Sequence, residues 1–267
     1  VLYLFLALLT AASLNAGQPL IVAHRGASRD APENTLPAFQ LAWERGADAI
    51  EADCHLTSDG HIVCFHDRDA KKLTGQAVIV EQATLEQLRK LDVGAHHGEE
   101  FRGTSMPTLA EVLATVPDGR KIYIEVKCGP TIVPGLLREV ESSGLAREQV
   151  VVISFNGEVI EALEKAVPEL RTFWLVNLKR DKRSGELTPA LGEILSTLKR
   201  IRADGVSTSF ALVTRELVET VMREGHEYHV WTVNEAPDAR RLRDCGVLSI
   251  TTDVPGEIRR GLAEEEE

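Results

Sequence analysis

Two histidines, three acids and two cationic side chains stand at the ends of short apolar runs in this chain. Val22-Ala23-His24-Arg25-Gly26 closes one run and Ile62-Val63-Cys64-Phe65-His66-Asp67 closes another. Ile50-Glu51-Ala52-Asp53 lies between them, and Ile124-Glu125-Val126-Lys127 follows further along. An imidazole pair, His24 and His66, exchanges protons in both directions near neutral pH. Glu51, Asp53 and Glu125 offer only oxygen ligands, which suit one hard divalent cation, Mg2+ or Ca2+, better than zinc. The planar guanidinium of Arg25 and the ammonium of Lys127 suit phosphate oxygens. Together these groups point to metal-assisted cleavage of a phosphate ester.

Spacing supports that reading. Side chains on a strand alternate between its faces, so Glu51 and Asp53 point one way while Ile50, Ala52 and Cys54 point the other. A solvated surface pair of acids fits poorly with an apolar opposite face. His55 shares the acidic face one step beyond, and its reach is open. Glu125 and Lys127 repeat the same two-residue logic; a structural ion pair is the alternative there. His66 has its own alternative, an imidazole held in place by Asp67. Phe155 and Trp231 suit either the wall of a ligand pocket or the core. His96-His97 and the stretch from Lys179 to Arg183 read as solvated loops.

Eight short runs rich in Val and Ile read as strands: Leu20–His24, Ala49–Leu56, Ile122–Lys127, Val150–Phe155, Thr172–Val176, Gly205–Ser209, Tyr228–Val233 and Ser249–Asp253. Stretches of helical spacing separate them, one starting at Asn34-Thr35-Leu36-Pro37 with proline in its first turn. Strands alternating with helices predict α/β architecture, and the count favours a TIM-type (β/α)8 barrel over an open doubly wound sheet. No G-x-G-x-x-G follows the first strand. In such a barrel the functional side chains collect at the C-terminal ends of the strands, where all the groups above lie. Residues 67–106 break the rhythm. They follow a hairpin turning at Ser58-Asp59-Gly60 and read as an insertion at the ligand-facing rim.

The chain has 267 residues, 43% hydrophobic and 27% charged, so one packed domain is expected over residues 18–262. A formal net charge of −11 excludes the phosphate backbone of nucleic acids as a partner. The apolar run VLYLFLALLTAASLNA at residues 1–16, followed by Gly17, predicts an export signal, hence a periplasmic or secreted protein. An N-terminal membrane anchor is the alternative, though about 20 apolar residues are needed to span. Residues 263–267 read as an acidic tail. Cys54, Cys64, Cys128 and Cys245 match no zinc spacing. Cys54 and Cys64 can face each other across the hairpin, as buried thiols or as a disulfide.

The motifs in order resemble the glycerophosphodiester phosphodiesterase family. They are His24-Arg25-Gly26, Pro32-Glu33-Asn34-Thr35, Gly46-Ala47-Asp48-Ala49-Ile50-Glu51-Ala52-Asp53, Thr57-Ser58-Asp59-Gly60, His66-Asp67, Met106-Pro107-Thr108-Leu109, Glu125-Val126-Lys127, Trp231-Thr232-Val233-Asn234 and Thr252-Asp253. The resemblance spans about Leu20 to Gly261. It implies a β/α barrel with an insertion after the second strand and a divalent cation on Glu51, Asp53 and Glu125. It also implies an acid/base pair at His24 and His66, with Arg25 and Lys127 at the phosphate. The implied substrate is a small glycerophosphodiester, cleaved to glycerol 3-phosphate and an alcohol. His24 is expected to take the proton of the attacking oxygen and His66 to protonate the leaving one. A lysophospholipase D-like or phospholipase C-like lipid phosphodiesterase is the alternative enzyme, and an exported binding module without turnover the alternative class. Cys54, where the family usually has an aliphatic residue, and Arg68 to Leu73 depart from the family pattern.

Overall fold

The computed structural model describes residues 17–264. The expected export signal and the last residues of the acidic tail lie outside them. Among the described residues no helix is long and apolar enough to cross a membrane.

The chain begins with strand β1 (Leu20–His24), helix α1 (Leu36–Glu44) and strand β2 (Ala49–Leu56), which turns back on itself as β3 (Ile62–Cys64). The short helices α2 (Lys71–Thr74), α3 (Leu85–Leu88) and α4 (Leu109–Leu113) follow. Regular alternation then runs through β4 (Lys121–Val126), α5 (Val133–Ser142), β5 (Val150–Ser154), α6 (Gly157–Ala166) and β6 (Arg171–Val176). A small hairpin, β7 (Lys179–Arg180) with β8 (Leu187–Thr188), precedes α7 (Leu191–Ile201) and β9 (Gly205–Ser209). Helix α8 (Arg215–Arg223), β10 (Glu227–Trp231), α9 (Ala236–Cys245), β11 (Ser249–Thr252) and α10 (Pro255–Ala263) complete the fold.

Strands β1, β2, β4, β5, β6, β9, β10 and β11 pair in parallel, and β1 pairs with both β11 and β2, which closes the barrel. β3 hangs on β2 in antiparallel register. The strand alternation read from the sequence is what separates the layers. Ile50, Ala52 and Cys54 of β2 pack outward into the layer beneath the helices, with Phe39, Leu109 and Ile124. Glu51 and Asp53, on the other face, turn into the barrel. Below them the interior is filled by Val22, Ala49, Tyr123, Val151, Ile153, Phe173 and Leu175, a packed core rather than a pore. The chain between β3 and α4 carries its own apolar cluster of Val63, Phe65, Val80, Leu88, Leu91, Val93 and Met106.

Helix α1 starts where its sequence places it. The Thr35 hydroxyl caps the Ala38 N–H and Pro37 sits in the first turn. The differences lie at strand ends. Lys127, Phe155 and Asp253 fall just past β4, β5 and β11, and β10 stops at Trp231 rather than Val233. Regular pairing ends before these residues, although Lys127 and Val233 still donate to the Cys54 and Thr251 carbonyls, so Val/Ile density alone overran the ends. The charged stretch from Lys179 to Arg183, expected as a loop, is an exposed hairpin. Its turn is held by Asp181, whose carboxylate accepts from the Arg183 and Ser184 amides.

Candidate active site

The C-terminal ends of β1, β2 and β4 and the residues after β3 converge on one pocket of about 200 Å³. It is lined by His24, Arg25, Glu51, His66, Glu125 and Lys127, with Phe155 and Trp231 on its wall. All the candidate side chains read from the sequence are thus brought together, with Asp53 buried beside them. Oxygens of Glu51, Asp53 and Glu125 all lie within 4.8 Å of one another. The strand register explains this: Asp53 pairs with Glu125 at one height on neighbouring strands, and Glu51, two residues earlier on the same face of β2, pairs with His24.

Each carboxylate is held on one oxygen. Glu51 Oε2 accepts from the Arg25 amide at 2.9 Å. Asp53 Oδ2 accepts from Asn34 Nδ2 at 2.8 Å, and Asn34 Oδ1 in turn accepts from the Asp53 amide at 3.0 Å. Glu125 Oε1 accepts from Lys127 Nζ at 2.7 Å. Among the described residues, Glu51 Oε1 and Asp53 Oδ1 are buried without a hydrogen-bond partner. Lys127 Nζ lies 3.2 Å from Asp53 Oδ1, an ion-pair contact without hydrogen-bond alignment. Two orphaned anionic oxygens and a third carboxylate facing one point are what a hard divalent cation requires, and so the residues present fit one.

The electrostatics show the same strain. Burial, with repulsion from Asp53 and Glu125, pushes the Glu51 carboxyl well above its ordinary value. Burial and Asp53 also raise Glu125, against the pull of Lys127. Burial works on Asp53 in the same direction, but Lys127, Arg25, His66 and His24 together outweigh it and hold Asp53 low.

The backbone bends to build this arrangement. Arg25 and Asn34 both adopt left-handed conformations, each with φ near 57°. Gly26 follows at φ 85°, and a Cβ there would stand 2.5 Å from the Ala38 carbonyl carbon. Only glycine fits so close a crossing of the first loop over α1. Strained non-glycine residues of this kind concentrate at functional sites. The Arg25 side chain reaches back to Glu33 Oε1 at 3.0 Å and to Asp53 Oδ2 at 3.1 Å.

Both imidazoles are gripped at Nδ1. His24 Nδ1 lies 2.6 Å from Asp253 Oδ1, and His66 Nδ1 lies 2.7 Å from Asp67 Oδ1. A carboxylate can only accept, so each ring donates its Nδ1–H and keeps Nε2 for another partner. Asp253 also accepts from Ser28 Oγ at 3.1 Å and Asn234 Nδ2 at 2.6 Å. The bonds from His24, Asn234 and Ser28 hold its carboxyl down at about 2 although burial opposes them. For His66, burial and the nearby charges of Arg25 and Lys127 push the ring below the ordinary imidazole value, against Asp53 and Asp67.

Four roles were not assigned from the sequence. Asn34 clamps Asp53, Asp253 holds His24, Asn234 in turn holds Asp253, and His55 ties down the His66 segment. The His55 ring is buried, with Nδ1 3.1 Å from Glu81 Oε1 and Nε2 3.3 Å from the His66 carbonyl. Tyr123 joins the pocket wall, and alternation had the signal for it, two residues before Glu125 on the same face. The aromatic wall is Phe155 against Trp231, edge to face at 5.6 Å, with Trp231 Nε1 donating to the Ser207 carbonyl. His96 and His97 sit outside the pocket, in edge contact with each other, and His97 meets Phe101.

Comparison with known proteins agrees with this geometry. The profile of the glycerophosphoryl diester phosphodiesterase family matches residues 24–257. A glycerophosphodiester phosphodiesterase of Caldanaerobacter subterraneus subsp. tengcongensis is 34% identical over 241 residues, covering 88% of this chain and 94% of the relative. One from Bacillus subtilis is 30% identical over 259 residues, covering 91% and 86%. Among solved structures, a glycerophosphodiester phosphodiesterase from Agrobacterium tumefaciens superimposes with a TM-score of 0.74 at 26% identity, covering 91% of this chain and 99% of that one. An Oleispira antarctica phosphodiesterase, solved with the product sn-glycerol-3-phosphate, shares the fold with a TM-score of 0.82 at 23% identity, covering 92% and 97%. A closed parallel barrel with paired imidazoles and three converging acids at its rim, matched over nearly its whole length, places this chain in the glycerophosphoryl diester phosphodiesterase family.

Proposed function

We propose that the protein hydrolyses small glycerophosphodiesters to glycerol 3-phosphate and an alcohol, with His24 and His66 as the acid/base pair and one divalent cation on Glu51, Asp53 and Glu125. The observation that carries this reading is the convergence of those three carboxylates, two with orphaned oxygens, between two imidazoles that each keep Nε2 free of the carboxylate grip. The relatives named above are called glycerophosphodiester phosphodiesterases, and one structural neighbour holds the corresponding product.

Bound there, Mg2+ or Ca2+ would supply Lewis-acid polarisation of a phosphoryl oxygen. The chain's own residues do the rest. Arg25 and Lys127 hold the phosphoryl oxygens and offset their growing charge. His66, kept neutral by burial and two cations, accepts the proton of the attacking hydroxyl, whether glycerol's own or water's. His24, backed by the ionised Asp253, protonates the departing alkoxide. We assign the two roles in the opposite sense to the expectation drawn from the sequence, on the charges that surround His66. Phe155 and Trp231 pack on the carbon chain of the substrate.

The apolar surface favours a small substrate over a lysolipid. The exposed large hydrophobic residues are Leu36, Phe155 and Leu248 among those described, and of these Phe155 alone lines the pocket. We also read residues 1–16 as an export signal; sequencing the mature N-terminus of the exported protein checks it, and a mature protein that retains residues 1–16 would refute cleavage. The test of function is turnover of glycerophosphocholine, glycerophosphoethanolamine and lysolipids with Mg2+ and Ca2+ in turn. Activity abolished by EDTA and restored by either ion supports the reading. Binding without turnover would leave a phosphodiester-binding module instead.

A further inference from the structure

Cys54 and Cys64 face each other across the hairpin in direct register. The Phe65 amide donates to the Asp53 carbonyl, and the Cys64 amide turns away to the Pro107 carbonyl, each at 2.9 Å. This pattern marks Cys54 and Cys64 as the pair that exchanges no backbone hydrogen bonds with each other. In such pairs the Cα atoms stand about 4.5 Å apart and the side chains are closest. That separation lies within the range of roughly 4.4–6.8 Å that a disulfide spans. The two sulfurs are already in contact at 3.8 Å, and both side chains are fully buried. Neither sulfur points at the pocket. Both lie in the layer between barrel and helices, on the face of β2 opposite Glu51 and Asp53. Cys128 and Cys245 are each only partly buried and lie on other elements.

We propose that Cys54 and Cys64 form an intramolecular disulfide that staples the strand carrying Glu51 and Asp53 to the strand leading to His66. Its place in the fold suits that task. Cys54 directly follows Asp53, and Cys64 is two residues before His66. The bond fixes the relative height of the two strands without occupying the pocket. In the reaction both thiols lose hydrogen and the Sγ–Sγ bond forms, a two-electron oxidation. The oxidant is a low-molecular-weight disulfide such as oxidised glutathione. It is reduced to two thiols that carry off the protons, through a mixed-disulfide intermediate. Complete burial closes both sulfurs to dissolved oxidants in the folded state, so the bond is made as the hairpin folds.

The full-length protein is refolded with oxidised glutathione, unfolded in the presence of an alkylating reagent, and digested with trypsin. One peptide, Gly46 to Arg68, carries both cysteines. The expected product is that peptide unalkylated and lighter by two hydrogen atoms, with Cys128 and Cys245 alkylated. The cross-linked protein should melt higher than the same protein refolded with reductant, by on the order of 5 °C. A control with Cys54→Val and Cys64→Ala should lose that dependence on reductant. Alkylation of both cysteines in the oxidised sample, bonds to Cys128 or Cys245 in their place, or a cross-linked protein that melts lower than the reduced one would each overturn the proposal.

Discussion

The two sides of the pocket hold their imidazoles by different means. His24 stands on β1, inside the closed ladder, and its partner Asp253 comes from the other end of the chain, with Asn234 and Ser28 fixing that partner. His66 stands past a three-residue edge strand, and its Nδ1 partner is the next residue, Asp67. Its carbonyl is tethered by His55, which also reaches Glu81 in the insertion. The first imidazole is positioned by barrel closure. The second is positioned by a local clasp on an added segment. The closed side can move only if the barrel moves, whereas the clasped side can adjust with the insertion, which is tied to it through Glu81 and His55. This contrast predicts that damage to the His24 side will be rigidly expressed in turnover, and that damage to the His66 side will be shared between binding and turnover.

The largest effects should come from the rings themselves. His24→Ala and His66→Ala should each lower kcat by about 10²–10⁴, the span typical of a lost general acid or base. The pair together should fall little further than either alone, because groups acting as a unit are not additive. Activity within tenfold of the parent for either single variant would remove that residue from the mechanism, while circular dichroism confirms the fold.

Next come the partners. Asp253→Asn should cost more turnover than Asp67→Asn, on the order of 10² against roughly tenfold, if long-range positioning is the stricter of the two. Equal losses would erase the contrast. Asp253 also carries a signature in stability. Its folded-state carboxyl sits at about 2, below the roughly 3.9 of an unfolded aspartate. A depressed carboxyl stabilises the fold above the unfolded value and loses that contribution as pH falls through the folded one. Denaturant unfolding at pH 6 should therefore show the wild type ahead of Asp253→Asn by about 2 kcal/mol from this source. The gap should close progressively between pH 4 and pH 2. A gap that stays constant over that range would mean that Asp253 acts by shape alone.

The same contrast explains which parts of the molecule the sequence made legible. Leu20–His24, Ala49–Leu56 and Gly205–Ser209 are strands with the bounds their residue pattern implies. A run of apolar residues with one polar face is a local signal, and burial in a barrel acts on it directly. Glu51 with Asp53 and Glu125 with Lys127 were legible for the same reason, since alternation fixes their faces before any partner is known. Asp253 and Asn34 could be seen as motif residues but not given work. Asp253 acts on a ring 229 positions away in the chain and Asn34 on a carboxylate 19 away. The face of His55 was legible but its reach was not. Its contacts depend on how the hairpin folds back and how the insertion lies over it. Long-range pairing of this kind is set by closure, which no local pattern records.

The smallest effects should separate the clasp from the wall. His55→Ala removes a buried ring whose two nitrogens meet only acceptors, a carbonyl and a carboxylate. It also leaves a void beside the hairpin, so the change should lower stability as well as activity. His55→Gln, which can still donate to one of those partners, should recover part of the loss. Glu81→Gln, at a partly exposed position, keeps the shape and changes only the charge. It should reduce kcat/KM by a few-fold, with faster amide exchange confined to the insertion. Phe155→Ala should be milder still for kcat. The ring is 47% exposed and touches Trp231 edge to face, a contact worth about 0.5–1.5 kcal/mol. Its removal should raise KM a few-fold and leave kcat alone, because a wall that packs equally on substrate and transition state contributes only uniform binding. A fall in kcat with KM unchanged would instead place Phe155 with the groups that act in the transition state, and the pocket would then have a third side to explain.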